Sequence, residues 1–299
     1  MNWTRSNTAA SGDRPTDAAQ DFSLVLGGPL FQLLRRAHLS DDALSLQRRR
    51  ILVLALIAWL PLLLLATLSG RLFDGGVAVP FLFDVEVHVK FLVVLPLLVI
   101  AELVVHQRMR TVVSTFGARH LVAPADAARL DSAIACAYRL RNSITAELLL
   151  IAIVYAVGIS VVWRQYMALD AATWYATPAA GGSTLTVAGI WYGYVSLPLF
   201  QFLLCRWYFR LFIWAHFLWQ VSRIELSLVP THPDRLGGLS FVSGQVYAFT
   251  VLAVAHGALL AGNLANRIFF LGAALTPVSY THLRAHETDS YLVCRLLLE

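Results

Sequence analysis

The chain has 299 residues, 58% of them apolar and only 14% charged, with a net charge of +5. Soluble domains carry about 25% charged and about 45–50% apolar residues, so this composition excludes an ordinary soluble core and calls for a bilayer as solvent. The positive charge comes from 22 Arg and the single Lys90; the Arg cluster beside apolar runs, which fits a membrane surface and argues against nucleic acid as a partner.

In chain order, residues 1–24 are Ser, Thr, Asp, Ala and Gly with little apolar content, and the tail through 27 reads as disordered. No secretory signal precedes the first apolar run. Residues 28–47 place Leu30, Phe31, Leu33 and Leu34 next to Arg35 and Arg36, an amphipathic stretch expected to lie on a membrane face. Arg48, Arg49 and Arg50 then abut an uncharged run, 51–69, which at 1.5 Å per residue reaches ~28 Å and matches the hydrocarbon core. A second span is expected over 88–106, with His88, Lys90 and His106 snorkelling at its ends. Pro124 opens a cytoplasmic helix with Leu130, Ile134, Ala137 and Tyr138 at helical spacing, feeding a third span over 144–163. A fourth runs over 187–205 and, with no Gly or Pro from Phe202 to Glu225, extends into the cytoplasm as far as 225. Around Arg206, Arg210 and Arg223 in that extension, Trp207, Tyr208, Phe209, Trp214 and Trp219 read as an interfacial aromatic belt. A fifth span covers 246–264. Pro61, Pro96 and Pro198 each stand in a Leu-Pro-Leu within a span, where they tend to kink the helix.

Counts of Arg plus Lys in the successive non-membrane segments are 7, 2, 6, 1, 4 and 1. This alternation places the N-terminus in the cytoplasm. The fold class expected is therefore all-α, a polytopic transmembrane helical bundle of at least five spans, with residues 28–276 as its membrane domain. Residues 277–299 break the style of the rest. Back-translated, Pro277–Thr288 and Tyr291–Glu299 resemble the two ends of a sequencing adapter separated by an eight-nucleotide index, so this tail reads as non-native and the protein as truncated at its C-terminus. His282, His286 and Cys294 are set aside with it.

Ionisable side chains inside spans are expensive, roughly 2.5–3.5 kcal/mol each on insertion scales, and are functional candidates by default. Glu102, His106 one turn further, and Glu147 fall at similar depth near the cytoplasmic boundary. They could form a proton- or cation-handling cluster; the preferred alternative is that the carboxylates pair with Arg from 106–143 or reach the headgroups. His256 falls near the midplane of the fifth span, with Ala253, Gly257, Ala261 and Ala265 around it at four-residue spacing, and is read as a packing and hydrogen-bonding residue before a haem ligand or proton relay. The cytoplasmic loop with His232, Asp234 and Arg235 is either a binding loop or turn chemistry around Pro233 and Gly237-Gly238. Three dispersed Cys support neither a disulfide framework nor a zinc site, and no motif points to a metal, a cofactor or an enzyme active site.

The segments VWRQYMALDAATWYA, RWYFRLFIWAHFLWQVSRIEL, VPTHPDRLGGL and GNLANRIFF together resemble a group of bacterial polytopic inner-membrane proteins, over most of residues 25–276. The resemblance implies a multi-pass protein of the bacterial inner membrane and no particular activity. The expected function is a non-enzymatic scaffold with a cytoplasmic contact surface for a protein partner. The alternatives are a proton-coupled transporter using Glu102, His106, Glu147 and His256, and a haem-binding redox protein.

Overall fold

The structure is a computed structural model that describes residues 22–25, 27–29, 32, 46–73, 76–119, 121–162, 172–179 and 182–272. The 277–299 tail and most of the 28–47 stretch lie outside these residues. The described chain is almost entirely helical: α1 (Gln47–Leu68), α2 (85–118), α3 (Ala127–Arg141), α4 (144–162), α5 (Val187–Val221) and α6 (240–271), with one short hairpin, β1 (Ala176–Ala179) and β2 (Gly182–Leu185), before α5.

Four helices, α1, α2, α5 and α6, are long and apolar enough to cross a membrane; α4 joins them only when counted with α3, from which it is bent by 48°. The bend lies at Asn142-Ser143, where the Ser143 hydroxyl accepts the N–H of Ala146 and starts α4 afresh. Thr186 and Asp84 cap α5 and α2 in the same way.

The apolar residues point outward as much as inward. On α1 only Arg50, Leu54, Ala58, Leu62 and Ala66 are buried, one residue every four, while Leu52, Leu56, Leu60, Leu64 and Leu68 are exposed. On α4, Leu148, Leu149, Ile151, Ile153, Tyr155 and Val157 are exposed. A water-soluble monomer rarely presents so large an apolar surface. α2 and α5 form the middle of the bundle: α1 and α6 pack on α2, and α3 and α4 pack on α5.

Two prolines act through a π-helical turn. Val89–Val94 precedes Pro96 and Tyr192–Ser196 precedes Pro198. A proline ring crowds the carbonyl four residues earlier and removes an N–H, and the wider turn relieves both. Pro61 sits within α1 without such a turn.

The two ends of the bundle differ. One, the hairpin end, is closed by the loops before α2 and α5: Ala78 N–H donates to Ala172 O, Trp174 N–H to Val79 O, and Thr186 N–H to Tyr175 O. Trp174, fully buried, packs on Phe81, Tyr175 and Tyr192. At the other, the basic end, α2 and α5 run on past the start of α1. The expected continuation of α5 to 225 stops at Val221, because Leu226 pairs with Val122 and Ser227 N–H donates to Leu121 O, drawing the chain out of the helix.

A buried arginine–carboxylate cluster at the basic end

Glu102 is buried on α2, and two guanidiniums take its two oxygens. Arg50, in the first turn of α1, lies 2.5 Å from Oε2, and Arg210, on α5, lies 2.7 Å from Oε1. Arg206, one turn before Arg210 and therefore on the same face of α5, is 3.7 Å from Oε1 of Glu147 on α4. All five side chains are buried, so four helices meet in one ionic cluster. The carboxylates are thus not paired with Arg from 106–143 as expected. Among the described residues their partners are Arg50, at the end of the arginine run that opens α1, and Arg206 and Arg210 of α5. α1 begins level with Glu102, as the bond from Gln47 Nε2 to Val99 O also shows, and Arg141, at the end of α3, donates instead to the Ser23 carbonyl.

The N-terminal segment closes over this cluster, which the sequence did not foretell. Phe22, Ser23, Leu24 and Val25 were expected to be disordered, yet all four are buried. The Phe22 ring lies against Tyr138 of α3 and Trp214 and Phe217 of α5. Ser23 Oγ is 2.8 Å from His106 Nδ1, and its carbonyl accepts from Arg141. Gly27 and Gly28 follow with φ of +131° and +88°; a Cβ on Gly28 would stand 3.0 Å from the Arg141 carbonyl and 3.3 Å from Glu147 Oε1. Only glycine accommodates both that backbone and that approach.

The structure therefore gathers Glu102 and Glu147 through the α5 arginines, sets His106 one turn below against Ser23, and leaves His256 elsewhere. His256 Nδ1 donates to Leu252 O at 2.7 Å, in its own helix, which leaves Nε2 to accept from the Tyr208 hydroxyl of α5 at 2.7 Å. This is a helix-to-helix hydrogen bond of the kind expected. Among the described residues no group of His, Cys, Asp or Glu is arranged to hold a metal.

The aromatic belt is only partly a belt: Trp207 and Trp214 are buried, the former donating to Leu98 O at 3.0 Å, while Tyr208 and Trp219 are exposed. In the 232–235 loop, Asp234 accepts from the N–H groups of Leu236, Gly238 and Ser240 at 2.9–3.1 Å and meets His232 Nδ1 at 2.8 Å. Burial works to raise its carboxyl, and these donors outweigh it and hold it below its usual range. Arg235 is exposed, with φ of +55°. The carboxylate is thus engaged in shaping the turn that leads into α6.

A second polar cluster, at the hairpin end, was also missed. Lys90 and His88 do not snorkel outward. The π-helical turn carries Lys90 inward, 2.9 Å from Glu86 Oε1 and 3.3 Å from the Tyr192 hydroxyl. His88 Nδ1 accepts from Trp59 Nε1 at 2.9 Å, which makes Nε2 the donor toward Phe81 O. Asp84 accepts from Trp174 Nε1 at 2.8 Å and Asn266 at 2.7 Å, and Asn263 donates to Glu86. Burial raises the Asp84 carboxyl above its ordinary 3.8, Glu86 adding to the rise, against the bonds from Trp174, Asn266 and Val87 N–H. A carboxyl raised in the folded state stabilises fully below 3.8 and loses that contribution as pH climbs through the raised value. Asp84→Asn should accordingly flatten the fall of Tm with rising pH between 3.8 and that raised value; an unchanged slope in that window would show that Asp84 does not titrate there.

Comparison with protein-family models, with curated proteins and with solved structures finds no match. The chain carries two buried ionic networks, one near each end of a helical bundle with an apolar exterior.

Proposed function

We propose that this chain is a multi-pass protein of the bacterial inner membrane that acts as a non-enzymatic scaffold, with its basic end in the cytoplasm as the contact surface for a protein partner. The observation that carries the reading is the length of α5. From Tyr192, beside Lys90 at the hairpin end, to Trp219 is about 40 Å at 1.5 Å per residue, against a hydrocarbon core of about 30 Å and about 5–7 Å of headgroups on each side. Trp219, 55% exposed, then stands beyond the lipid. It has Arg223 stacked on its ring and borders a cleft of about 560 Å³ shared with Arg129 and the small residues Ala128 and Ala133 of α3. Exposed Trp and Arg around a cleft are the composition of interaction hot spots. The in-span carboxylates support the same reading: Glu102 and Glu147 are held by arginines in a structural cluster rather than standing ready to load a proton or cation. The four residues of the transporter alternative do not converge, since His256 is bonded to Tyr208.

The test is a photocrosslinking residue in place of Trp219 in cells, with one in place of Ile153 on the apolar face of α4 as the control. A discrete protein adduct at 219, absent at 153 and lost when Arg129 and Arg223 are changed to Glu, is expected. No adduct at 219, together with pH-driven uptake of a solute into proteoliposomes, would favour the transporter instead.

A further inference from the structure

We propose that the groove between α2 and α6 at the basic end is a binding site for the headgroup of an anionic glycerophospholipid. The inference rests on the reading of the chain as membrane-spanning. The groove encloses about 510 Å³ and is lined from α2 by Arg108, Thr111 and Thr115 among others, and from α6 by Phe241, Gly244 and Gln245. No carboxylate is among its described lining residues, so the Arg108 guanidinium sets their charge. A guanidinium offers a planar fork of donors matched to phosphate oxygens.

The depth is right for a headgroup. From Glu86 at the hairpin end to Arg108 is about 33 Å along α2, just past a hydrocarbon core of about 30 Å. From Gln245 to Asn263, which bonds Glu86, α6 covers about 27 Å, so both helices put the groove at the same boundary. Next to Gln245 on the chain, Val246 and Tyr247 are 72% and 71% exposed, an apolar residue and an aromatic where acyl chains would begin.

The polar groups are incomplete without a ligand. Gln245 is buried and its Nε2 donates to Arg108 O at 3.1 Å, but its Oε1 has no hydrogen-bond partner. A buried acceptor left unpaired costs about 1–3 kcal/mol, and the hydroxyls of a glycerol headgroup are donors of the kind it lacks. The Thr111 and Thr115 hydroxyls already donate to Gln107 O and Thr111 O, which leaves their oxygens as acceptors for the same hydroxyls. Phosphate to Arg108 and headgroup hydroxyl to Gln245 and the threonines describe an anionic lipid with a polyol head, of the phosphatidylglycerol type. Basic pockets between spans on the cytoplasmic side are the ordinary site of such lipids.

The experiment is thermal unfolding and native mass spectrometry of the detergent-purified protein with added phosphatidylglycerol, phosphatidylcholine or inorganic phosphate. Phosphatidylglycerol should raise Tm by about 2–4 °C and remain bound as one adduct, while the other two do neither. Arg108→Gln should weaken binding about tenfold. Gly244→Leu is the second variant: its backbone is helical (φ −60°) and a Cβ there meets nothing within 4 Å, so the leucine fills the groove without strain and should abolish the adduct. Retention of the adduct by both variants, an equal response to phosphatidylcholine, or an equal response to inorganic phosphate would overturn the proposal. A chain that is soluble without detergent would instead overturn the membrane reading beneath it.

Discussion

Replacing Glu102 by Gln is expected to lower stability by about 3–5 kcal/mol, because it strips the countercharge from guanidiniums that stay buried. Arg210 lies in the middle of α5 with its side chain 6% exposed, and the helix cannot turn to bring it to water. Arg50 is as deeply buried, its side chain 3% exposed, so the two guanidiniums share the cost. The physical signature is non-additivity. Once Glu102 is gone, changing Arg210 to Met should restore part of the loss, since it removes one of the two buried charges left without a partner. Chemical unfolding of the detergent-solubilised single and double variants measures both. A loss below about 1 kcal/mol for Glu102→Gln would mean that the carboxylate is not held as the geometry describes.

Replacing Phe22 by Ala is expected to cost about 3 kcal/mol, at the low end for a buried Phe. The ring is fully buried between α3 and α5 and touches three aromatic side chains. The value lies at the low end because a segment held by few residues escapes the cavity by detaching, and detachment caps the loss. It also has a local reading: cleavage by an added protease between 22 and 28 should become several-fold faster in Phe22→Ala while cleavage elsewhere is unchanged. Equal cleavage rates would show that Phe22 does not hold this segment in place.

Much of the architecture was legible because a bilayer makes strong demands on sequence. The uncharged 51–69 run matches α1 closely, and the expected second, fourth and fifth spans each fall within a longer helix. The expected 144–163 span is helical over its described residues, 144–162, though the structure joins it to α3 at a bend. Glu102 and Glu147 meet arginines one turn apart on α5. These partners were not legible. Arg206 and Arg210 have the i, i+4 spacing of a single face, but which helix that face meets depends on the order of neighbours in the bundle, which no local pattern encodes. Lys90 was misread for a related reason. Its inward turn comes from a π-helical segment ahead of Pro96, and one inserted residue rotates the following face by about 100°. The N-terminal segment carried a short apolar run, Phe22 to Leu26, that the surrounding polar composition hid. The Asp84, Glu86, Lys90, Asn263 and Asn266 network joins residues up to 182 apart, a contact of topology rather than of spacing.

The hairpin end and the basic end should face opposite sides of a membrane. Short epitope tags inserted after Gly76, in the turn at the hairpin end, and after Thr231, at the basic end, test it in spheroplasts probed with antibody before and after permeabilisation. The tag at 76 should be reached in intact spheroplasts and the tag at 231 only after permeabilisation. Both tags reached together, or neither before lysis, would contradict it.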